Sequence, residues 1–330
     1  MTYRALVVDK GQQYSVALKD VDEANLPEGD VTVRVEWSSV NYKDGLACTP
    51  GNRVVTRYPM TPGVDLAGTV MWSQDARYNV GDAVMVTGYE LGTGHPGGFA
   101  ELARVPGDWV LPLPKGLTTK EAMAIGTAGF TAALSIEHLE RMGLEPGQGT
   151  VLVTGATGGV GSTAVSMLAA LGYTVAASTG KESEHAYLRE LGATEILSRA
   201  DVSAESNRPL ESERWAGAVD PVGGSTTAYL VRTTRYGGSV AVSGLTGGTA
   251  VATSVFPFIL RGVNLLGIDS VMTPMATRKR VWERLGADLK PAGLLDSIAV
   301  ETDLDGVQTV AKEIVAGRVR GRTLVRVANS

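Results

Sequence analysis

The run TVLVTGATGGVG at residues 150–161 constrains this chain more than any other stretch. An apolar strand leads into glycines at 155, 158 and 161, and residues 162–171 continue as a helix. A backbone without Cβ atoms can turn tightly and let a pyrophosphate approach, while the helix start offers unpaired N–H groups and the positive end of its dipole. The glycines are spaced G-x-x-G-x-x-G, wider at the first gap than the commonest dinucleotide fingerprint, and alone they mark no more than a tight strand-to-helix turn. The surroundings favour a nucleotide. Five further apolar segments, at 174–178, 194–197, 217–220, 239–243 and 264–268, have helical stretches among them at 183–191, 226–233 and 255–261. Strands this apolar, joined by crossover helices, belong in a parallel sheet covered on both faces. Six of them complete a dinucleotide-binding sheet.

The end of the second strand selects the nucleotide. An NAD-binding chain places Asp or Glu about 20 residues beyond the loop to hold the ribose diol. Here the residues are Ser178, Thr179, Gly180 and Lys181. A hydroxyl and an ammonium suit a 2′-phosphate, and Arg199, just past the third strand, offers a second cation. NADPH is therefore the expected cofactor. In the alternative, Lys181 and Arg199 are solvated charges and Thr179 caps the helix beginning at Glu182; a cap explains Thr179 but not the missing carboxylate.

Residues 1 to about 120 have a different texture. Short β segments at 5–8, 31–35, 67–71, 83–86 and 100–105 are punctuated by Gly and Pro, and 120–141 then reads as a helix. Beyond 272, helical stretches at 277–289 and 307–316 precede a strand at 321–327 that can return to the first domain. The expected fold class is α/β, with one domain at 1–121 completed by 272–330 and a nucleotide domain at 122–271. A 330-residue chain exceeds one ordinary core. Its net charge of −5 gives no electrostatic reason to bind nucleic acid or an anionic membrane. No apolar stretch reaches the roughly 18 residues that span a bilayer. The opening MTYRALVVDKG alternates like a strand and lacks the apolar core of an export signal, so a cytoplasmic protein is expected. The one cysteine, Cys48, can form neither an internal disulfide nor a four-thiolate zinc site.

Taken together, SSVNYKDGL at 38–46, PGVDLAGTV at 62–70, VGDAVMVTG at 80–88, GGFAEL at 97–102 and GTAGFTAA at 126–133 make the whole chain resemble the medium-chain dehydrogenase/reductase superfamily, in its zinc-free quinone-oxidoreductase-like branch. TGKESEHAYLRELGA at 179–193, WAGAVDPVG at 215–223, FPFILRGVNLLGIDSVM at 256–272 and GRTLVRV at 321–327 are similar to the NADPH-dependent acryloyl-CoA reductase subgroup. The resemblance implies a GroES-like β domain plus a Rossmann doubly wound parallel sheet, with the nicotinamide in the cleft between them. It implies Tyr42 at the nicotinamide end, Thr157, Gly158, Gly159 and Val160 on the pyrophosphate, and Thr179, Gly180, Lys181 and Arg199 around the 2′-phosphate. It also implies Leu245, Ile259 and Ser270 at the cofactor. Gly317 stands where close relatives carry a polar side chain, so only a backbone contact can survive there.

Zinc-dependent members of the superfamily need Cys, His or Glu ligands, because a Lewis acid must polarise a carbinol oxygen. Cys48 lies beyond the usual ligand position, and Val64–Asp65 stands where a His–Glu pair is expected. His95, His138 and His185 read as surface or packed histidines, and no catalytic metal is expected. Reducing an alkene conjugated to a carbonyl needs no metal: it takes hydride at the β carbon, donors for charge growing on the carbonyl oxygen, and a proton for the α carbon. Tyr42 is the candidate donor, with Asn41 and Asp44 as candidates to orient it or the nicotinamide ribose, and Asp65 to hold its own loop. The alternative for Tyr42 is a half-buried aromatic packed at a strand end.

The expected activity is NADPH-dependent reduction of an α,β-unsaturated acyl thioester, with acryloyl-CoA to propanoyl-CoA implied by the subgroup. Reduction of quinones or free enones is the alternative enzyme, and a mainly non-catalytic NADPH-binding protein the alternative class. Arg53, Arg57, Arg318 and Arg320 are available for the phosphates of an acyl-CoA, although none is diagnostic. The apolar strand at 264–268 would be an open sheet edge in a monomer, so a homodimer is expected.

Overall fold

The structure is a computed structural model that describes residues 1–328. Along the chain, β1 (Thr2–Lys10), β2 (Tyr14–Asp22), β3 (Val31–Val40), α1 (Tyr42–Ala47), β4 (Asp65–Ser73), β5 (Ala83–Thr87), β6 (Leu102–Val105) and β7 (Leu111–Pro112) come first. There follow α2 (Thr119–Arg141), β8 (Thr150–Val153), α3 (Gly159–Ala170), β9 (Thr174–Thr179), α4 (His185–Glu190), β10 (Glu195–Ser198), β11 (Trp215–Asp220), α5 (Gly224–Thr233) and β12 (Thr234–Val242). The last group is α6 (Phe256–Arg261), β13 (Asn264–Gly267), α7 (Met275–Leu285), β14 (Ala299–Asp303), α8 (Val307–Val315) and β15 (Arg322–Arg326). Contacts divide the chain into one unit of 1–127, 271–286 and 294–330 and a second of 128–270 and 287–293.

The first unit is built on a seven-stranded sheet. Its order is β14-β15-β3-β4-β5-β7, with β6 also pairing to β3, while β1 and β2 form a separate antiparallel ribbon. β3 shows why the local sequence folds this way: Val31, Val33 and Val35 are fully buried on one face while Arg34 between them is exposed. They join Leu6, Leu66, Val84, Phe99 and Val325 in the core, each such side chain contributing about 1.5–3 kcal/mol by leaving water. β15 closes this sheet by pairing antiparallel to β3, so residues late in the chain complete a core begun near its start.

The second unit is a parallel sheet with order β10-β9-β8-β11-β12-β13. Counted along the chain this is 3-2-1-4-5-6, the doubly wound dinucleotide-binding order. Val151, Leu152 and Val153 of β8 are all fully buried, as a strand covered on both faces requires. The expected α/β fold, a GroES-like β part plus a Rossmann sheet, is the fold observed. Four features lie outside the expectation. β2 and β14 are largely exposed strands with no apolar alternation to reveal them. α1, a single short helix, occupies what reads as a strand end. Finally, α2 is broken at Gly126, whose φ of 52° and ψ of −161° lie in a region essentially reserved for glycine.

Candidate functional site

In the second unit the glycine turn sits at the carboxyl ends of β8 and β11, the point where the strand order reverses and where open α/β sheets bind ligands. Gly155 has a φ of 52°, and a Cβ on Gly161 would press into the Gly155 carbonyl and lie 2.6 Å from the Ala156 Cα. The glycines therefore let α3 start directly on its own turn, with Gly158 as its first flanking residue. The first N–H groups of such a helix have no intrahelical partner and face the turn that Thr157, Gly158, Gly159 and Val160 make. Asp220, which the sequence reasoning missed, fixes this edge. Its buried carboxylate accepts hydrogen bonds from Thr154 Oγ1 at 2.6 Å, the N–H groups of Val222 and Gly223 at 3.0 and 3.2 Å, and the Thr227 hydroxyl. One carboxylate thus ties the loop after β8 to the loop after β11.

The structure also brings together the residues at the end of β9. Register places Ser198 opposite Thr179, so Arg199 follows beside Gly180. A Cβ on Gly180 would stand 3.3 Å from the Arg199 guanidinium, which makes glycine the residue that gives that side chain room. Thr179 is buried; its hydroxyl accepts the Lys181 N–H at 3.1 Å and lies 3.5 Å from the Thr157 hydroxyl. Thr179 therefore shapes its own turn as well as linking it to the glycine loop.

The other cofactor candidates lie on separate elements. Leu245 is exposed on the loop after β12, where Gly247 N–H bonds the Val222 carbonyl at 2.7 Å, so it lies at the same edge of the sheet. Ser270, beyond β13, accepts a hydrogen bond from Thr131 Oγ1 at 2.8 Å. Ile259 is exposed on α6 next to exposed Val255, Phe256 and Leu260, in an apolar surface. Gly317 belongs to the first unit, where a φ of 71° just past α8 is the usual reason for a helix-ending glycine.

In the first unit, Tyr42 is the first residue of α1 and is 40% exposed. Asn41 and Asp44, in contrast, are buried and spoken for. Asp44 accepts the Asn41 N–H at 2.8 Å, half of a capping box, and its other oxygen accepts the Gly63 and Val64 N–H groups at 3.0 Å. Burial pushes its carboxyl up to about 7, against the three N–H donors that favour the charge. Asn41 donates to Asp65 at 2.7 Å and accepts from Arg322 at 3.0 Å. Asp65 also accepts from Ser39 Oγ and from the Thr127 N–H and hydroxyl. Arg322, wholly buried, donates to Ser39 and to the Ala124 carbonyl, and burial lowers its pKa. A Cβ on Gly126 would press into this Arg322 and come within 2.6 Å of Asp65 Oδ2. Asp65 does more than hold its own loop: it joins β3, α2 and β15. Arg322 escaped the sequence reasoning because nothing local marks a buried arginine. Of the four arginines considered for an acyl-CoA, Arg53 and Arg57 are exposed and Arg318 is paired with Glu313 at 2.6 Å.

These side chains do not fit a zinc ion. Both Asp65 oxygens are taken, burial pushes the Cys48 thiol up to about 12, and His95 packs edge-on against Trp109. Among the described residues no group of three or more His, Cys, Asp or Glu is placed to hold a metal.

The alcohol dehydrogenase GroES-like domain family matches residues 27–115, and the zinc-binding dehydrogenase family matches residues 159–286. "Acrylyl-CoA reductase AcuI" of Ruegeria pomeroyi is 51% identical, covering 98% of this chain and 99% of its own. "Putative quinone oxidoreductase YhfP" of Bacillus subtilis is 51% identical over 98% of both chains, and its structure with NAD bound gives a TM-score of 0.96 over 99% of each. The yhdH oxidoreductase of Salmonella enterica, solved in complex with NADP, is 50% identical and gives a TM-score of 0.96, covering 98% of this chain and 100% of that one. With relatives half identical along nearly its full length, the chain belongs to the medium-chain dehydrogenase/reductase superfamily of nicotinamide-dependent oxidoreductases.

Proposed function

We propose that this protein is an NADPH-dependent reductase of short α,β-unsaturated acyl thioesters, converting acryloyl-CoA to propanoyl-CoA. The observation that carries the cofactor is the β9 end: Arg199 packed over Gly180 beside Lys181, with no carboxylate at the ribose position. Thr157, Gly158, Gly159 and Val160 would hold the pyrophosphate, and Thr179, Gly180, Lys181 and Arg199 the 2′-phosphate. The Salmonella relative solved with NADP supports this choice, and the Bacillus relative solved with NAD makes the preference worth measuring. The identity to the Ruegeria acrylyl-CoA reductase supports the thioester.

When bound, the dinucleotide supplies the hydride. The protein's work is to orient the alkene, stabilise charge on the thioester oxygen and see a proton to the α carbon. Tyr42, exposed at the start of α1, is the donor in this proposal, and solvent is the other proton source. Asn41 and Asp44 act through it: their bonds to Asp65, Gly63 and Val64 fix the helix that carries the phenol. Comparing turnover of acryloyl-CoA, a free enone and a quinone with NADPH and NADH tests the proposal. Equal or better turnover of the quinone would transfer the assignment to the quinone reductase favoured by the Bacillus relative's name. Binding of NADPH without reduction of any of them would make it a binding protein.

A homodimer belongs to the proposal. β13 is an edge strand of its sheet, and Leu265 on it is exposed, as are Val255, Phe256, Ile259 and Leu260 on the preceding helix. An edge of this kind calls for pairing with a second copy.

A further inference from the structure

Arg322 is a full charge shut away from water. It lies on β15 with 2% of its surface exposed, and its ion-pair partner Asp65, 3.6 Å away, is wholly buried. Stripping water from two charges is expensive, and apolar residues in the place of such a pair are often as stable, so stability alone does not account for it. The fold also gives way for this side chain: α2 breaks at Gly126, where a Cβ would press into the guanidinium. All three guanidinium nitrogens donate. Nε bonds the Ala124 carbonyl at 3.1 Å, Nη1 bonds Asn41 Oδ1 at 3.0 Å and the Val40 carbonyl at 3.4 Å, and Nη2 bonds Ser39 Oγ at 2.7 Å.

The two charges converge on one amide. Arg322 holds Asn41 by its Oδ1, and Asp65 holds it by its Nδ2 at 2.7 Å. Only one of the two amide orientations satisfies both partners. Ser39 Oγ accepts from Arg322 and donates to Asp65 at 2.7 Å, which fixes the charges relative to each other. Asn41 is also where α1 starts: its carbonyl accepts the Asp44 and Gly45 N–H groups at 3.0 and 3.1 Å, and its own N–H donates to the Asp44 carboxylate at 2.8 Å. Tyr42 is the next residue, the first of the helix. A single peptide bond therefore joins the clamped amide to the proposed donor.

We propose that Arg322 is a positioning residue for the reduction: through Asn41 it fixes the start of α1, and with it the orientation of the Tyr42 phenol. This rests on the reading of Tyr42 as the donor. A guanidinium suits the task because its planar fork meets Ser39, Asn41 and Ala124 at once, whereas a lysine ammonium would answer Asp65 and leave that geometry unmade. Arg322→Lys is therefore made in the parent and in Tyr42→Phe. The measurements are thermal stability, NADPH affinity, single-turnover reduction of acryloyl-CoA, and the 19F resonance of 3-fluorotyrosine placed at position 42 in the cofactor-free protein. Arg322→Lys is expected to melt and bind NADPH as the parent does and to reduce roughly 10–100-fold more slowly, the scale of a misplaced group. In the Tyr42→Phe background it is expected to cost nothing further, and the resonance at 42 is expected to shift or broaden. A parent-like rate and resonance would overturn the inference, as would the same loss in both backgrounds, which marks a general effect on the fold. If the lysine variant does not fold, Arg322→Met with Asp65→Asn removes both charges together and carries the same cycle. Should Tyr42→Phe reduce as fast as the parent, the donor reading falls alone, and an unmoved resonance at 42 is then what overturns Arg322. A parent that reduces a quinone and no thioester overturns the thioester assignment alone, and the same cycle is read on the quinone.

Discussion

Lys181 and Tyr42 are the two side chains whose removal most directly tests the chemistry. Lys181→Ala is expected to weaken NADPH binding by about 1.5–3 kcal/mol, the range for hydrogen bonds to charged groups, and to leave NADH affinity unchanged. Fluorescence titration with both cofactors checks it, and an unaltered NADPH/NADH preference removes Lys181 from the site. Tyr42→Phe is expected to slow single-turnover reduction by roughly 10²–10⁴-fold, the usual worth of a positioned proton donor. Stopped-flow traces identical to the parent's would make Tyr42 a wall residue and leave protonation to solvent. At this scale the sequence reveals residues whose chemistry is local. Gly180 and Lys181 follow a strand end, and Arg199 follows the next strand, so counting along the chain finds them. Asp220 and Arg322 stay hidden because their meaning comes from partners far off in sequence, such as Thr154 for Asp220 and Ala124 for Arg322.

At the scale of elements, α1 and α2 hold the informative departures. α1 has six residues, too short for apolar periodicity, yet Asn41 and Asp44 stand three apart, as a capping box requires. That spacing was the one legible sign of a helix. Asp44 also gives α1 a pH dependence. Its carboxyl keeps a proton up to about pH 7 in the native state, whereas the unfolded chain releases it near pH 4. Its contribution to stability is therefore complete below about pH 4 and is lost as the pH rises through 7. Chemical denaturation from pH 4 to 8 should show the parent losing stability relative to Asp44→Asn across that window, and parallel curves would contradict it. In α2, Gly126→Ala would force a Cβ into Arg322 and Asp65 at a backbone conformation closed to alanine. A loss of at least about 2 kcal/mol is expected by denaturant titration. The break escapes sequence reading because a glycine within an alanine-rich helix looks tolerable until the buried ion pair beneath it is known.

For the molecule as a whole, the parallel sheet was legible and the first unit's sheet much less so. Apolar strands in regular alternation with helices announce themselves, whereas β2 and β14 carry exposed, irregular residues and are strands only because β1 and β15 pair with them. The exposed β13 edge makes the proposed dimer measurable. Sedimentation at micromolar concentration should give twice the 34.5 kDa of one chain, and Leu265→Lys, which sets a charge on that edge, should give the single-chain mass. A parent protein that sediments as one chain would remove the dimer.

The pairing of β15 with β3 reaches back across nearly the whole sequence. During synthesis all six strands of the parallel sheet leave the ribosome before Arg322–Arg326 exist, so the nucleotide-binding unit can gather its strands while translation continues. The other unit waits. Its nascent strands keep the positions that Leu324 and Val325 will fill uncovered until those residues emerge, which makes that interval the one in which a chaperone has most to protect.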